Sequence, residues 1–300
     1  MFRVLVTGGS GLVGWWVALR LQQEGREIFA SYHHHPERLD PIPEDKRLFL
    51  DLKDPRSIEN TFHKVQPDIL IHAAAMPDLM PAENDPQSAF RINVSASQEF
   101  AGLCTRHNTR MFFFSTDQVF DGEKGNYRET DPVNPVHVYG KTKAEAERLL
   151  LASEADVTVL RLALAYGKSP SGSRSGSEKI IRALQRKERI RLFTDEFRTP
   201  IYIEDAAAAV AEMVTAPAGS LPRLMHLAGP TKVSRYEFGM AVAEAAGEDS
   251  SLIDPALQKD VSLPIRRPRD LSMDISLLRS VLPGCEVHNL QQALEQLFSC

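Results

Sequence analysis

Short apolar runs alternate with segments of helical periodicity through the first half of the chain. The run Met-Phe-Phe-Phe at 111–114 is continuously apolar, which is typical of a parallel strand buried on both faces. The alternation predicts right-handed crossovers and a parallel, doubly wound α/β sheet that binds ligands at the carboxyl ends of its strands. The six predicted strands span 3–7, 27–31, 48–50, 68–72, 111–114 and 157–162, and the main helices span 12–23, 57–65, 86–106 and 137–153.

Three glycines spaced three residues apart follow the first strand, at Gly8, Gly11 and Gly14. Gly8 permits a sharp turn, Gly11 lets the backbone approach a pyrophosphate, and Gly14 lets the next helix pack closely on the sheet. The free N–H groups at the start of that helix attract phosphates. The spacing differs by one residue from G-x-G-x-x-G, but its place between an apolar strand and a helix predicts a dinucleotide site.

The regular alternation ends near Leu164. The segment 168–177 is rich in Ser and Gly and predicts a loop, and the elements beyond it alternate less regularly. A chain of 300 residues is long for one compact core. We therefore predict a dinucleotide-binding domain over 1–164 and a smaller C-terminal α/β lobe over 165–300 that mainly binds substrate, with some of its elements free to return to the first domain.

The composition is typical of a soluble globular enzyme, with 43% hydrophobic and 25% charged residues and a formal net charge of -5. Lys and Arg are neither in excess nor gathered in long runs, which argues against a nucleic-acid partner. Three scattered cysteines, Cys104, Cys285 and Cys300, argue against a disulfide framework and for a reducing compartment. The sequence shows neither a signal peptide nor an apolar run of about 20 residues, so we expect a cytoplasmic protein without a membrane partner.

Tyr139 and Lys143 stand four residues apart at the start of a predicted helix, so their side chains share one face. A nearby ammonium group favours the phenolate form, and we expect it to lower the pKa of the Tyr139 phenol and to tune that phenol for proton transfer. Thr116 ends the fifth predicted strand and supplies a hydroxyl that can hold a substrate oxygen. All three lie in loops at the carboxyl edge of one sheet, so we predict that Thr116, Tyr139 and Lys143 form the catalytic unit.

The end of the second strand bears on the choice of cofactor. Enzymes that use NAD commonly place an acidic residue there for the ribose 2′-hydroxyl, about 20 residues after the glycines. This chain has Ser31, Tyr32 and His33 at that place, with Arg38 a little further on. Because the acid is missing, we expect NADP, with NAD as the alternative.

His33 is the first of three consecutive histidines in a segment with loop composition. Adjacent side chains cannot all face one ion in regular structure. We therefore predict a solvated loop at 33–35, and no metal site anywhere in the chain.

The sequence resembles the extended short-chain dehydrogenase/reductases, and within them the dTDP-4-dehydrorhamnose reductase-like group, over nearly its whole length. The most specific segment is Ser-Thr-Asp-Gln-Val-Phe-Asp-Gly at 115–122, accompanied by Tyr-Gly-Lys-Thr-Lys at 139–143. Further matching segments are Thr-Gly-Gly-Ser-Gly-Leu-Val-Gly at 7–14, Asp-Leu at 51–52, His-Ala-Ala-Ala at 72–75, Asn-Val at 93–94 and Arg-Arg-Pro-Arg at 266–269.

The resemblance implies a Rossmann domain in which Tyr139 protonates a carbonyl oxygen while hydride arrives from a nicotinamide whose ribose is bound by Lys143. Asp51 and Leu52 would bracket the adenine, Ala73 and Ala74 would line the nicotinamide, and Asn93 would support the site. The expected cofactor-binding residues are Gly8, Ser10, Gly11, Leu12, Val13, Gly14, Ser31, His33, Asp51, Leu52, Ala73, Ala74, Ala75, Asn93, Tyr139 and Lys143.

The same resemblance implies a reductase of a nucleotide-linked 4-keto sugar, and a homodimer is compatible with it. Gln118 replaces the tyrosine usual in the 115–122 segment, and Arg-Thr-Pro at 198–200 replaces a glycine-containing version, which indicates a diverged substrate pocket. The regulatory β subunit of methionine adenosyltransferase resembles the same group. Tyr-Arg-Glu at 127–129 and Ser-Arg-Tyr-Glu-Phe at 234–238 are as similar to that branch, so a non-catalytic NADP-binding regulatory protein stays open as the alternative.

Overall fold

A computed structural model describes residues 2–299. Cys300, one of the three cysteines counted above, lies outside the described residues. The strands, in chain order, are β1 (Arg3–Thr7), β2 (Glu27–Tyr32), β3 (Arg47–Phe49), β4 (Ile69–His72), β5 (Arg110–Thr116), β6 (Val157–Leu162), β7 (Ala165–Tyr166), β8 (Ile190–Phe193), β9 (Phe197–Arg198), β10 (Ile201–Tyr202), β11 (Leu224–Leu227), β12 (Val233–Ser234) and β13 (Ile253–Ala256).

Helices connect these strands and cover both faces of the main sheet. The predicted helix at 86–106 consists of two α-helices joined by a π-helical segment, Arg91–Ser95. The α-helices are α1 (Leu12–Gln23), α2 (Pro55–Val65), α3 (Leu79–Asn84), α4 (Pro86–Phe90), α5 (Ala96–His107), α6 (Val138–Ala152), α7 (Gly176–Gln185), α8 (Ile203–Thr215), α9 (Arg235–Ala245), α10 (Ser276–Val281) and α11 (Leu290–Phe298).

The main sheet has seven strands in the order β11-β6-β5-β4-β1-β2-β3, and all its pairings are parallel. The strand order reverses at β1, so β1 and β4 flank the crevice where open α/β sheets bind ligands. Alternate residues of each strand enter opposite cores, as Val4 and Val6 do on one face and Leu5 on the other. The predicted doubly wound α/β fold is therefore confirmed.

The C-terminal half contributes to this sheet. Strand β11 pairs with β6 at the edge, with Leu224 beside Val159. Helix α8 packs beside α1, because Ala206 and Val210 share a core with Val17. Residues beyond 164 thus supply a strand and a helix to the first domain. Helices α7, α9 and α11 enclose a separate, smaller core, whereas Leu278 of α10 belongs to the core that Val17 shares with α8.

Residues 2–299 contain no helix that combines the length and the apolar character needed to cross a bilayer.

Candidate active site

The glycine turn fits closely between the ends of β1 and β4. Gly8 has φ +69°, and a Cβ atom there would stand 2.8 Å from the Cα of Ala74. A Cβ atom on Gly14 would stand 2.4 Å from the carbonyl oxygen of Gly8. Gly14 therefore lets α1 approach the turn at the end of β1 closely. The turn accepts only glycine at both positions without a backbone shift.

A cavity of about 930 Å³ opens at the carboxyl edge of the sheet, beside this turn. Its wall contains Thr116, Tyr139 and Lys143, so the structure brings the predicted catalytic side chains to one space. The predicted cofactor-binding residues that also line it are Gly8, Ser10, Gly11, Leu12, Val13, Gly14, Ser31, His33, Asp51, Leu52, Ala73, Ala74 and Ala75.

Asn93 stands apart from this set, because its side chain is buried behind the cavity wall with 1% exposure. Its Oδ1 atom accepts a hydrogen bond from the Met76 backbone N–H at 2.8 Å. Its Nδ2 atom donates to Thr142 Oγ1 at 3.0 Å, and that hydroxyl donates to the Tyr139 carbonyl at 2.8 Å. Asn93, which the resemblance implies as a residue that supports the site, thus joins the loop after β4 to the helix of Tyr139. Asn93 lies within the π-helical segment, an irregularity frequent at functional sites.

Helix α6 begins where Tyr139 meets the cavity. His137 caps the helix, since its Nδ1 atom accepts the Gly140 N–H at 3.0 Å. The other ring nitrogen therefore carries the proton and donates to Gln118 Oε1 at 2.9 Å. Gln118, which stands where the resemblance implies a tyrosine, thus accepts a hydrogen bond from the residue that caps α6. Sequence reasoning missed His137, although a polar residue just before a predicted helix is an N-cap signal.

The pKa values of Tyr139 and Lys143 differ from the expectation. Burial raises the pKa of the Tyr139 phenol, the neighbouring Thr116 hydroxyl partly opposes the rise, and the charge of Asp117 adds to it. Burial also lowers the pKa of the Lys143 ammonium to about 7, against the raising influence of Glu147. The expected lowering of the phenol pKa by Lys143 is therefore wrong for this structure. The phenol keeps its proton at neutral pH and is available as a proton donor.

Lys143 is itself enclosed, with 2% exposure, and its Nζ atom lies 3.8 Å from the centroid of the Phe113 ring. On the next turn of α6, the carboxylate of Glu147 accepts hydrogen bonds from Arg161 and from the Ser115 hydroxyl. Ser115 and Arg161 are paired across β5 and β6. This buried group, which sequence reasoning missed, fastens α6 to the two strands behind the site.

A second buried network supports the loop after β4. The Ser97 hydroxyl donates to the Asn93 carbonyl at 2.9 Å, so it accepts from His72 Nε2 at 3.1 Å. The other ring nitrogen, Nδ1, then accepts from the Thr7 hydroxyl at 2.7 Å, and that hydroxyl accepts the Ala74 N–H at 3.2 Å. Burial lowers the pKa of His72 to about 3, and the charge of Lys143 adds to the effect. A neutral imidazole thus positions the backbone of the cavity wall.

The end of β2 forms the other side of the cavity. The Ser31 hydroxyl accepts the Gly8 N–H at 3.3 Å, and the Ser31 carbonyl accepts the Gly9 N–H at 2.8 Å. These bonds place the strand end directly beside the glycine turn. His33 follows this strand, and its Nε2 atom lies 3.8 Å from the Asp51 carboxylate.

A charged cluster borders the cavity on the side of the C-terminal lobe. Arg198 lines the cavity, and its guanidinium pairs with Glu196 at 3.0 Å and with Asp117 at 3.7 Å. Burial raises the pKa of Asp117, although the charge of Arg198 lowers it in part. Across the opening, Arg174 pairs with Asp78 at 3.2 Å, and both residues line the cavity. Both guanidinium groups at this end of the cavity are thus paired with carboxylates.

Comparisons with known proteins identify a family that covers almost the whole chain. A family model described as the RmlD substrate binding domain matches residues 2–299. The dTDP-4-dehydrorhamnose reductase of Aggregatibacter actinomycetemcomitans is 28% identical over 307 residues, which cover 99% of this chain and 98% of the relative. Methionine adenosyltransferase 2 subunit beta of Pongo abelii is 28% identical over 285 residues, which cover 93% of this chain and 82% of the relative.

A solved structure shares the fold across nearly the whole chain. The crystal structure of dTDP-4-dehydrorhamnose reductase from Bacillus anthracis, a complex with NADP, superposes with a TM-score of 0.85 at 22% identity, and the match covers 99% of this chain and 98% of that one. The family model and the relatives place the chain among the oxidoreductases of the extended short-chain dehydrogenase/reductase type. The chain belongs to the RmlD substrate-binding-domain family.

Proposed function

We propose that the protein is an NAD(P)H-dependent reductase of a nucleotide-linked 4-keto sugar. The observation that carries this proposal is the meeting of Thr116, Tyr139 and Lys143 in the wall of the cavity that begins at the glycine turn. The 28% identity to a dTDP-4-dehydrorhamnose reductase along almost the whole chain supports the same substrate class.

In this role Tyr139 donates its proton to the carbonyl oxygen of the substrate. Its raised pKa keeps the proton in place until the oxygen becomes basic. Thr116 donates a hydrogen bond to the same oxygen and orients the carbonyl. Lys143, when charged, stabilises the phenolate that forms and binds the ribose next to the reacting ring. A bound dihydronicotinamide supplies the hydride.

We propose NADP as the preferred cofactor. The end of β2 carries Ser31 and His33 in the cavity wall, where NAD enzymes commonly place an acid. The carboxylate of Asp51, which follows β3, lies near the His33 ring. We assign Asp51 and Leu52 to the adenine, and Ala73, Ala74 and Ala75 to the nicotinamide side.

We assign the sugar nucleotide to the side of the cavity formed by the C-terminal lobe, mainly residues 165–300. Pro170, Ser171, Arg174 and Arg198 line that side. Guanidinium groups bind phosphate oxygens in bidentate geometry, which suits the diphosphate of a nucleotide sugar. We further propose that the protein works in the cytoplasm, where such substrates are made, and that it does not bind nucleic acid.

The test is NADPH oxidation by the purified protein against a panel of nucleotide-linked 4-keto sugars. We expect turnover of at least one member of the panel, with dTDP-4-dehydrorhamnose the first to try. Binding of NADPH without oxidation of any member would contradict the reductase proposal.

A second candidate is a non-catalytic regulatory subunit that uses the same dinucleotide site. The observation favouring it is the 28% identity to a methionine adenosyltransferase β subunit over 93% of this chain. Mixing the protein with a methionine adenosyltransferase catalytic subunit in size-exclusion chromatography tests it. Co-elution, together with failure to reduce any keto sugar, would favour this candidate, and independent elution would reject it.

A further inference from the structure

Gln118 joins the strand end that carries Thr116 to the beginning of α6. Its backbone N–H donates to Thr116 Oγ1 at 3.2 Å, and its side-chain oxygen accepts from His137 Nε2 at 2.9 Å. A Cβ atom on Gly140 would collide with the Gln118 carbonyl oxygen, so that carbonyl lies directly against the first turn of α6. Gln118 thus contacts both segments that bring the proposed catalytic hydroxyls into the cavity.

His137 is the residue of α6 that receives this contact. Its side chain is 2% exposed, and its ring lies nearly parallel to the Tyr139 ring, at 11° and a centroid distance of 6.3 Å. Its Nδ1 atom accepts the Gly140 N–H, and the neighbouring Val138 N–H donates to Glu83 Oε1 at 2.7 Å. Two side chains therefore bind the free amides of the first turn. Tyr139 lines the cavity, whereas the buried imidazole acts on a substrate only through such neighbours.

We propose that His137 is a positioning residue for the reduction, an inference that rests on the proposed function. Its cap fixes the first turn of α6 so that the Tyr139 hydroxyl lies opposite Thr116, and Gln118 selects the ring tautomer that can cap. Both hydroxyls must reach one carbonyl oxygen together, so the rate depends on where these segments lie relative to each other. Loss of the cap should slow the reduction and leave the dinucleotide bound.

The cap requires one protonation state of His137. Nδ1 must be unprotonated to accept the Gly140 N–H, and Nε2 then carries the proton that Gln118 accepts. A second proton would lie on Nδ1 and face the Gly140 N–H, so the imidazolium form cannot cap the helix. The uncharged Gln118 amide accepts from Nε2 without favouring that second proton.

The charged groups around His137 come from three elements. Burial lowers the pKa of the imidazole, and Glu83 on α3 opposes part of this effect, as does a backbone hydrogen bond. Arg198 on β9 and Lys141 on α6 add to the lowering. The ring is therefore neutral at pH 7, as the cap requires.

The first experiment compares the wild type with H137A and H137N in single-turnover reduction of the keto sugar that the wild type accepts, at saturating sugar. Asparagine is a favoured N-cap and needs no particular tautomer, whereas alanine cannot cap. We expect H137A to be slower by about ten- to a hundredfold, and H137N to stay within about threefold of the wild type. The NADPH dissociation constant should change less than about threefold in both variants.

The matched control separates stability from positioning. Asn289 caps α11, where its side chain accepts the Gln292 N–H at 3.0 Å, and that helix packs in the smaller C-terminal core. N289A and H137A each lose one cap, so both should lower the midpoint of thermal unfolding. Only H137A should lose rate.

The second experiment tests the role of Gln118 with Q118E, which keeps the shape of the side chain and adds a charge. A carboxylate beside Nε2 favours the imidazolium form of His137. The ratio of the Q118E rate to the wild-type rate should therefore fall about tenfold from about pH 8 to about pH 6. With asparagine at 137, the ratio of the double variant to H137N should change less than about twofold. A direct effect of the new carboxylate on the sugar enters both ratios, so their difference reports His137.

Three results would overturn this inference and leave the proposed function standing: H137A at the wild-type rate, H137N as slow as H137A, or the same pH change in both Q118E ratios. If H137A does not fold, the two Q118E ratios decide. A wild type that binds NADPH and reduces no sugar of the panel would overturn the proposed function and this inference together.

Discussion

The carboxylate of Glu147 on α6 and the guanidinium of Arg161 on β6 form a buried ion pair. Arg161 Nη2 donates to Glu147 Oε2 at 2.8 Å and Nε donates to both carboxylate oxygens at 3.1 Å, while the two side chains are 3% and 4% exposed. Glu147 follows Lys143 by one helical turn. The pair therefore fixes the helix that presents Tyr139 and Lys143 to the strand beneath it.

Replacing Glu147 by Ala should lower the free energy of unfolding by about 3–5 kcal/mol, because the Arg161 charge would stay buried without a partner. Urea unfolding followed by circular dichroism measures the change. The matched control is Glu145→Ala on the exposed face of the same helix, where the pair with Arg148 is in solvent. It should leave the unfolding midpoint almost unchanged. Equal losses in the two variants would contradict the structural role given to the buried pair.

The Gly14→Ala variant reverses the usual effect of this substitution in a helix. Alanine normally stabilises a helix interior relative to glycine by about 1 kcal/mol. Here the added Cβ would stand 2.4 Å from the Gly8 carbonyl oxygen, so we expect a destabilisation of about 1–3 kcal/mol and weaker NADPH binding. Gly284→Ala is the control, because a Cβ atom there meets nothing within 4 Å. Thermal unfolding and cofactor titration of both variants test the contrast.

The free energy of unfolding at acidic pH should depend on His72. Burial lowers the pKa of His72 in the folded protein to about 3, so between pH 3 and the ordinary value of 6.5 the unfolded chain binds a proton that the native state does not. The contribution of neutral His72 to the free energy of unfolding is fully present above about pH 6.5 and is lost as pH falls. At pH 5 the loss should amount to roughly 2 kcal/mol. Urea unfolding of the wild type and of His72→Gln at both pH values measures this. If the free energy of unfolding changed equally with pH in the two proteins, the low pKa assigned to His72 would be contradicted.

The rate of reduction should fall as pH rises through neutrality. Burial lowers the pKa of Lys143 to about 7, so the ammonium that we propose binds ribose and stabilises the phenolate is lost above that pH. We expect kcat/KM for NADPH to fall about tenfold per pH unit there, since this parameter reports groups of the free enzyme. Glu147→Gln removes the carboxylate that raises the pKa of Lys143. Its profile should therefore fall at a lower pH, and an unshifted profile would contradict the coupling of these residues.

The fold and the wall of the cavity follow from short-range patterns. Glycine spacing, apolar runs and the Tyr139 to Lys143 interval are local signals, so they can be read without knowing which elements meet. Contacts between distant segments carry no such signal. Glu147 meets Arg161 only because β5, β6 and α6 come together, and β11 joins the sheet from 224–227, far along the chain.

The pKa shifts of the site residues could not be predicted from the sequence either, because they depend on burial. The four-residue interval places Lys143 on the same face as Tyr139, and from it a lower phenol pKa is expected. The structure buries both groups, and desolvation outweighs the attraction of unlike charges. Likewise Asn93 matches a family position, but only the fold shows that it lies behind the wall, bonded to Met76 and Thr142.

The most direct measurement is a comparison of wild type and Tyr139→Phe in single-turnover reduction of dTDP-4-dehydrorhamnose, with the NADPH dissociation constant measured for both proteins. The substitution removes the hydroxyl proton and keeps the ring. We predict that the single-turnover rate falls by a factor of about 10² to 10⁴, which is the usual contribution of a positioned general acid. The affinity for NADPH should change less than about threefold. A variant that reduces the sugar at the wild-type rate would contradict Tyr139 as the proton donor.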